Sequence, residues 1–174
     1  TGNVTADYRD EATNTNKDLA NPMVSVFDVD GTSQSAISAT VTALTDLAAK
    51  KMGASGISFN GATATPGNNA SLTTAQIAQA ETGVAKLFGI NISGTTLAAK
   101  APSFTVDAGG VDISSTADAY GLALAVISKA EQNTSKTTAN IVSDLAAALT
   151  ISAAGVPTVS LSSPITATIN TAIT

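Results

Sequence analysis

Two carboxylates stand two residues apart in the run Val26-Phe27-Asp28-Val29-Asp30-Gly31-Thr32. Carboxylates so spaced at the end of a strand could do two kinds of chemistry. One could attack a phosphoryl group while the other moves a proton, both beside Mg²⁺. Alternatively Asp28 and Asp30 could hold calcium, a hard cation that takes several oxygen ligands. Two Asp supply too few oxygens alone, and Asp7, Asp10 and Glu11 are the acids that could join them. The same residues also make a solvated acidic turn. Asp30-Gly31 is a hairpin dipeptide, and turns favour Asp and Gly for backbone reasons.

Few other residues offer chemistry. The chain of 174 residues contains no Cys, no His and no Trp. That removes thiolate nucleophiles, disulfides and zinc knuckles, together with the commonest general base. Ser and Thr abound, but no base accompanies them in a triad-like pattern. Eight Lys and Arg against 13 Asp and Glu give a formal net charge of −5. Such a chain has no basic footprint for nucleic acid. Lys50-Lys51 and Lys136 sit at expected helix ends, where the dipole favours cations. Asn3-Val4-Thr5, Asn69-Ala70-Ser71, Asn91-Ile92-Ser93 and Asn133-Thr134-Ser135 are formal glycosylation sequons that this composition generates by itself. No apolar run reaches the ~18 residues of a membrane span, so no membrane insertion is expected. Starting at Thr1, the chain reads as a mature or excised piece, and lack of Cys suits work outside a bacterial cell.

Ala, Thr and Ser make up roughly 44% of the chain, well above average usage. With 35 Val, Ile and Leu, one compact domain can still bury a core. Residues 1–42 look strand-like. Val4, Ala6 and Tyr8 alternate with polar residues, as do Ile37, Ala39 and Val41. Met23 to Phe27 is β-rich, and with 37–41 it would form a hairpin about Asp30-Gly31. Residues 10–21 and 53–71 read as loops. Residues 43–174 carry the helical period. Leu44, Leu47, Ala48 and Met52 share a face that ends at Gly53. Thr73 and Gln76 spell a capping box before Ile77, Ala80, Val84, Leu87 and Phe88, with Gly89 as the stop. Ile90-Asn91-Ile92 and Phe104-Thr105-Val106 are β-like, and residues 107–110 form a turn before Val111. Ser115 with Asp118 opens a helix striped by Ala119, Tyr120, Leu122, Ala123, Val126, Ile127 and Ala130. Thr137 or Thr138 opens another, with Ile141, Leu145, Ala148 and Leu149 inward. Ser163-Pro164 starts a last one carrying Ile165, Ile169 and Ile173. The expected fold is therefore α+β: a small antiparallel sheet of N-terminal strands packed with four or five short Ala-rich helices. Their outer faces carry hydroxyls and amides instead of charge, which tolerates dense packing against other surfaces.

Two resemblances add to this. The run from Val26 to Thr32 resembles the first motif of the haloacid dehalogenase-like phosphotransferases. That likeness implies a phosphoryl-accepting Asp28 and an acid/base Asp30. Ser33 stands where that family has an apolar residue, and no GDxxxD-type motif follows. A wider likeness spans residues 6–149. Ala6-Asp7-Tyr8-Arg9-Asp10-Glu11-Ala12-Thr13, then Val41-Thr42-Ala43-Leu44-Thr45-Asp46-Leu47-Ala48, then Leu72-Thr73 through Phe88-Gly89, then Ala117-Asp118-Ala119-Tyr120-Gly121-Leu122-Ala123-Leu124-Ala125 occur in order. In that order they resemble repeat modules of long secreted surface proteins of Gram-negative bacteria, in which Ig-like strands feed a small helical unit. The resemblance implies surface attachment or scaffolding, without catalytic residues or a cofactor.

A complete Ig-like sandwich needs about seven strands, more than residues 1–42 supply. An incomplete sheet has open edges that a neighbour's strand can complete. Thr1 to Tyr8 is the candidate donor, placing Val4, Ala6 and Tyr8 in the acceptor groove; the other arrangement folds this strand onto its own sheet. The leading expectation is a non-enzymatic structural or adhesive subunit at the bacterial surface, partnered by copies of itself or neighbouring modules. A calcium-stabilised module and the phosphatase are the alternatives.

Overall fold

The computed structural model describes residues 8–10, 15–17, 23–27, 39–53, 58–60, 63–65, 72–103, 106–107, 110–111 and 118–159. Within them the fold is α+β, with short Ala-rich helices and small antiparallel sheets.

Helix α1, Ala43–Met52, starts where Thr42 accepts the Thr45 amide and Thr45 reciprocates onto the Thr42 amide. It stops at Gly53, whose φ of 72° is left-handed and suits a residue without Cβ. Helix α2, Thr74–Leu87, opens with the Thr73–Gln76 capping box. Helix α3, Ala119–Thr134, is capped by Asp118, and α4, Thr138–Ala148, by Thr137. Each cap satisfies an amide that the helix itself leaves unpaired.

Helix α1 is the hub, packing against α2, α3 and α4. All seven residues from Ala43 to Ala49 are buried. Burial on every side requires small residues, and Ala43, Ala48 and Ala49 let neighbouring helices approach closely. Leu44 and Leu47 are fully buried, each worth about 1.5–3 kcal/mol of apolar burial. Val84, Leu97, Tyr120, Ile141, Val142 and Leu149 complete the same core.

Among the described residues the strands form four separate antiparallel pairs. Tyr8–Asp10 (β1) pairs with Thr15–Lys17 (β2), so the expected loop over 10–21 contains a strand. Ser58–Asn60 (β3) pairs with Thr63–Thr65 (β4), inside the loop expected over 53–71. Val106–Asp107 (β5) pairs with Gly110–Val111 (β6) around the expected turn. Leu149–Ile151 (β7) pairs with Pro157–Val159 (β8) and lies on α2.

Three expectations need correction. Residues 23–27 and 39–41 are not strands, so the hairpin about Asp30-Gly31 is not formed by them. Instead Val24 N–H donates to the Asp46 carboxylate of α1 at 3.2 Å, and Thr40 N–H donates to Ala98 O at 2.7 Å. Their amides are taken by the helical unit before a strand partner can use them. Ile90-Asn91-Ile92 is also not a strand. Gly89 turns left-handed at φ 67°, and Ile90 N–H returns to Ala85 O at 2.8 Å, closing α2. Finally, Leu122 and Val126, expected on the apolar stripe of α3, are exposed at 36% and 40%. The helix expected from Pro164 lies outside the described residues.

Candidate functional site

Among the described residues four carboxylates accept backbone amides: Glu81, Asp46, Asp118 and, from Thr138 N–H at 3.4 Å, Glu131. Glu81 lies on α2 and is 3% exposed. Its Oε2 accepts Leu97 N–H at 3.1 Å and its Oε1 accepts Ala98 N–H at 3.2 Å. These amides open a single turn closed by Lys100 N–H on Thr96 O, so Glu81 caps that turn through both carboxyl oxygens. Burial raises the Glu81 pKa, opposed by the two amide bonds. Asp46 holds Val24 and is neutralised by Lys50 at 3.2 Å. Asp118 accepts Gly121 N–H at 2.9 Å and Ser103 N–H at 3.2 Å, tying residues 101–103 to the start of α3.

Tyr120 is fully buried, and its hydroxyl shares a 2.8 Å hydrogen bond with Thr42 Oγ1. Burial pushes its pKa up to about 12, with Glu81 and Asp118 adding to the shift and Thr42 opposing it. Lys17 of β2 bridges the buried Asp10 of β1 to Glu131 of α3, the latter at 3.5 Å. Burial alone would lower the Lys17 pKa, but its bond to Asp10 and the charges of Glu131 and Asp10 raise it on balance. Glu131 also accepts the Thr138 hydroxyl at 3.1 Å. One ammonium thus fastens the first hairpin to the α3–α4 corner.

One half-open cleft, of about 310 Å³, lies between the end of α1, the first half of α2 and β7. It is lined among the described residues by Lys51, Met52, Gln76, Gln79, Ala80, Thr150 and Ile151. Lys51 Nζ donates to Ala146 O at 3.0 Å. Gln79 Nε2 donates to Ser152 O at 2.7 Å, which turns its amide oxygen the other way. Gln76 Oε1 is held by the Thr73 amide at 2.9 Å, which leaves its amino group outward. The Gly83 position lets β7 approach: a Cβ there would lie 2.6 Å from Ile151 side-chain carbons.

Of the residues singled out from sequence, Asp28, Asp30, Asp7 and Glu11 lie outside the described residues, as do Val4 and Ala6. Asp10, offered as a calcium ligand, is buried and ion-paired to Lys17. Tyr8 pairs with Lys17 inside its own chain. Among the described residues no three acids converge on a point that could hold a metal ion, all strand pairs are antiparallel, and no helix is long and apolar enough to cross a membrane.

Sequence reasoning missed Glu81, Asp46 and the cleft. Asp46 lies off the apolar stripe of α1, and Glu81, at the edge of the α2 stripe, is read as solvent-facing because it is a carboxylate. What buries them is a turn and a strand-like segment folding over from elsewhere. Lys51 was legible only as a cation at a helix end. No family model matches the chain, and no curated protein or solved structure matches it.

Proposed function

We propose that this chain is a non-enzymatic structural or adhesive module of a bacterial surface protein or fibre, acting outside the cell among copies of itself or neighbouring modules. One observation carries the reading: the described buried carboxylates Glu81, Asp46 and Asp10 are each engaged in tying separate segments of the chain together. Glu81 holds the 96–100 turn, Asp46 holds residue 24, and Lys17 with Asp10 holds the first hairpin. A protein that carries load or contact needs such internal fasteners more than it needs a poised acid or base. The hydroxyl- and amide-rich outer faces add to this, since they adhere without strong charge repulsion.

Strand addition is the proposed mode of assembly. The hairpin of β1 and β2 has two strands, and no third strand joins it among the described residues. A two-stranded sheet has outer edges that a neighbour can extend through backbone hydrogen bonds. A contact of that kind between different patches propagates into filaments. Electron microscopy of the purified protein tests this. Fibres are expected from the parent, and loss of fibres with retained helical circular dichroism is expected when residues 1–8 are deleted. Normal fibres from the deleted chain would refute strand addition, and monomers alone at every parent concentration would refute self-assembly.

A further inference from the structure

We propose that the cleft between α1, α2 and β7 binds a carboxylated sugar unit, a uronate, with Lys51 taking the carboxylate. The inference stands on the cleft alone and does not depend on assembly. Lys51 carries three N–H donors, spends one on Ala146 O, and makes no ion pair among the described residues. Its head is therefore fixed at the cleft while its charge is uncompensated, in a chain whose net charge is −5. Around it stand an outward amide donor on Gln76, an amide acceptor on Gln79 and an exposed hydroxyl on Thr150. Gln76 Oε1 also accepts from Thr73 Oγ1 at 3.0 Å and Gln79 Nε2 also reaches Ile151 O at 3.5 Å, while the Gln76 amino group, the Gln79 amide oxygen and the Thr150 hydroxyl make no hydrogen bond among the described residues. The remaining lining is aliphatic: Met52, Ala80 and Ile151.

A pyranuronate offers the complement. Its ring has an apolar C–H face for the aliphatic lining, its hydroxyls both donate and accept, and its one carboxylate matches one ammonium. At about 310 Å³ the cleft sits at the small end of ligand sites, which run from roughly 300 to 1,000 Å³. That size suits a compact ring better than an extended acidic peptide. With no aromatic platform in the lining, affinity should be modest, on the order of millimolar.

The test is titration of the isotope-labelled chain with glucuronate, glucose, acetate and a short glutamate-containing peptide, followed by nuclear magnetic resonance. Saturable shifts of Lys51, Gln76, Gln79 and Thr150 with glucuronate, about tenfold weaker with glucose or acetate, would support the proposal. Lys51→Met should remove the preference for glucuronate over glucose, and Lys51→Arg should keep it. Because Lys51 also ties α1 to α4, Thr150→Val serves as a second variant and should weaken glucuronate several-fold with the amide spectrum otherwise unchanged. Absence of cleft shifts, equal binding by Lys51→Met, or equal binding of acetate or the acidic peptide would each overturn the assignment.

Discussion

Replacing Glu81 by Ala should be among the most damaging single changes in the described chain. Leu97 and Ala98 are 0% and 1% exposed, so their amides lose their acceptor in a buried setting once the carboxylate goes. Each buried amide left unpaired costs roughly 1–3 kcal/mol. Part of this is offset, because the upward pKa of Glu81 means that burial already disfavours its charge. A net loss of about 2–4 kcal/mol follows. Glu81→Gln keeps one acceptor and sheds the buried charge, and should cost only about 0–2 kcal/mol. The two variants also separate by pH. The folded carboxyl has its pKa above the ordinary 4.5, so the folded state binds the proton more tightly than the unfolded one. Stability from this group is therefore greatest below 4.5 and falls as pH rises through the raised value. Urea denaturation followed by circular dichroism across that window should show this fall in the parent and lose it in Glu81→Gln. Hydrogen exchange gives the local readout: the 97 and 98 amides should lose protection in Glu81→Ala. A change under about 0.5 kcal/mol with protection intact at both amides would refute the capping role.

Other expectations can be checked by similar means. Gly83→Ala should destabilise despite the ~1 kcal/mol helix-propensity gain, because overpacking typically costs 1–3 kcal/mol; pairing it with Ile151→Val should recover much of the loss in a double-mutant cycle. Tyr120→Phe should cost about 1 kcal/mol near neutral pH. It should also flatten the alkaline limb, because raising the folded hydroxyl from 10.0 to about 12 removes up to roughly 3 kcal/mol as pH climbs past 10. Ser25→Ala should leave the denaturation midpoint unchanged or raise it, since the Ser25 hydroxyl is buried with no hydrogen-bond partner among the described residues. Chelation of divalent cations should leave the melting temperature unchanged, and a clear drop would favour the calcium-stabilised reading around Asp28 and Asp30.

The helices were legible because their boundaries are written in local chemistry. Thr73 with Gln76, Asp118, Thr137 and Gly53 each satisfy or reverse the backbone within one turn, so no distant partner is needed to recognise them. The hairpins were mostly illegible. Strands of two or three residues are too short to establish a period of two, and Thr15–Lys17 or Ser58–Asn60 contains no clear alternation. Val24 and Thr40 show the opposite failure: β-rich sequence whose amides are claimed by Asp46 and Ala98. The cleft could not be read at all, since Lys51, Gln76 and Thr150 come together only when β7 folds onto α2.

The placement of α1 in contact with each of the other three described helices has a mechanical corollary. Neither side of a cut after Gly53 would keep a complete interior: the piece holding α1 would expose Leu44 and Leu47, and the remainder would gape where they belong. Two such fragments, mixed after separate preparation, should find each other and restore the parent's spectrum, as split reporters do.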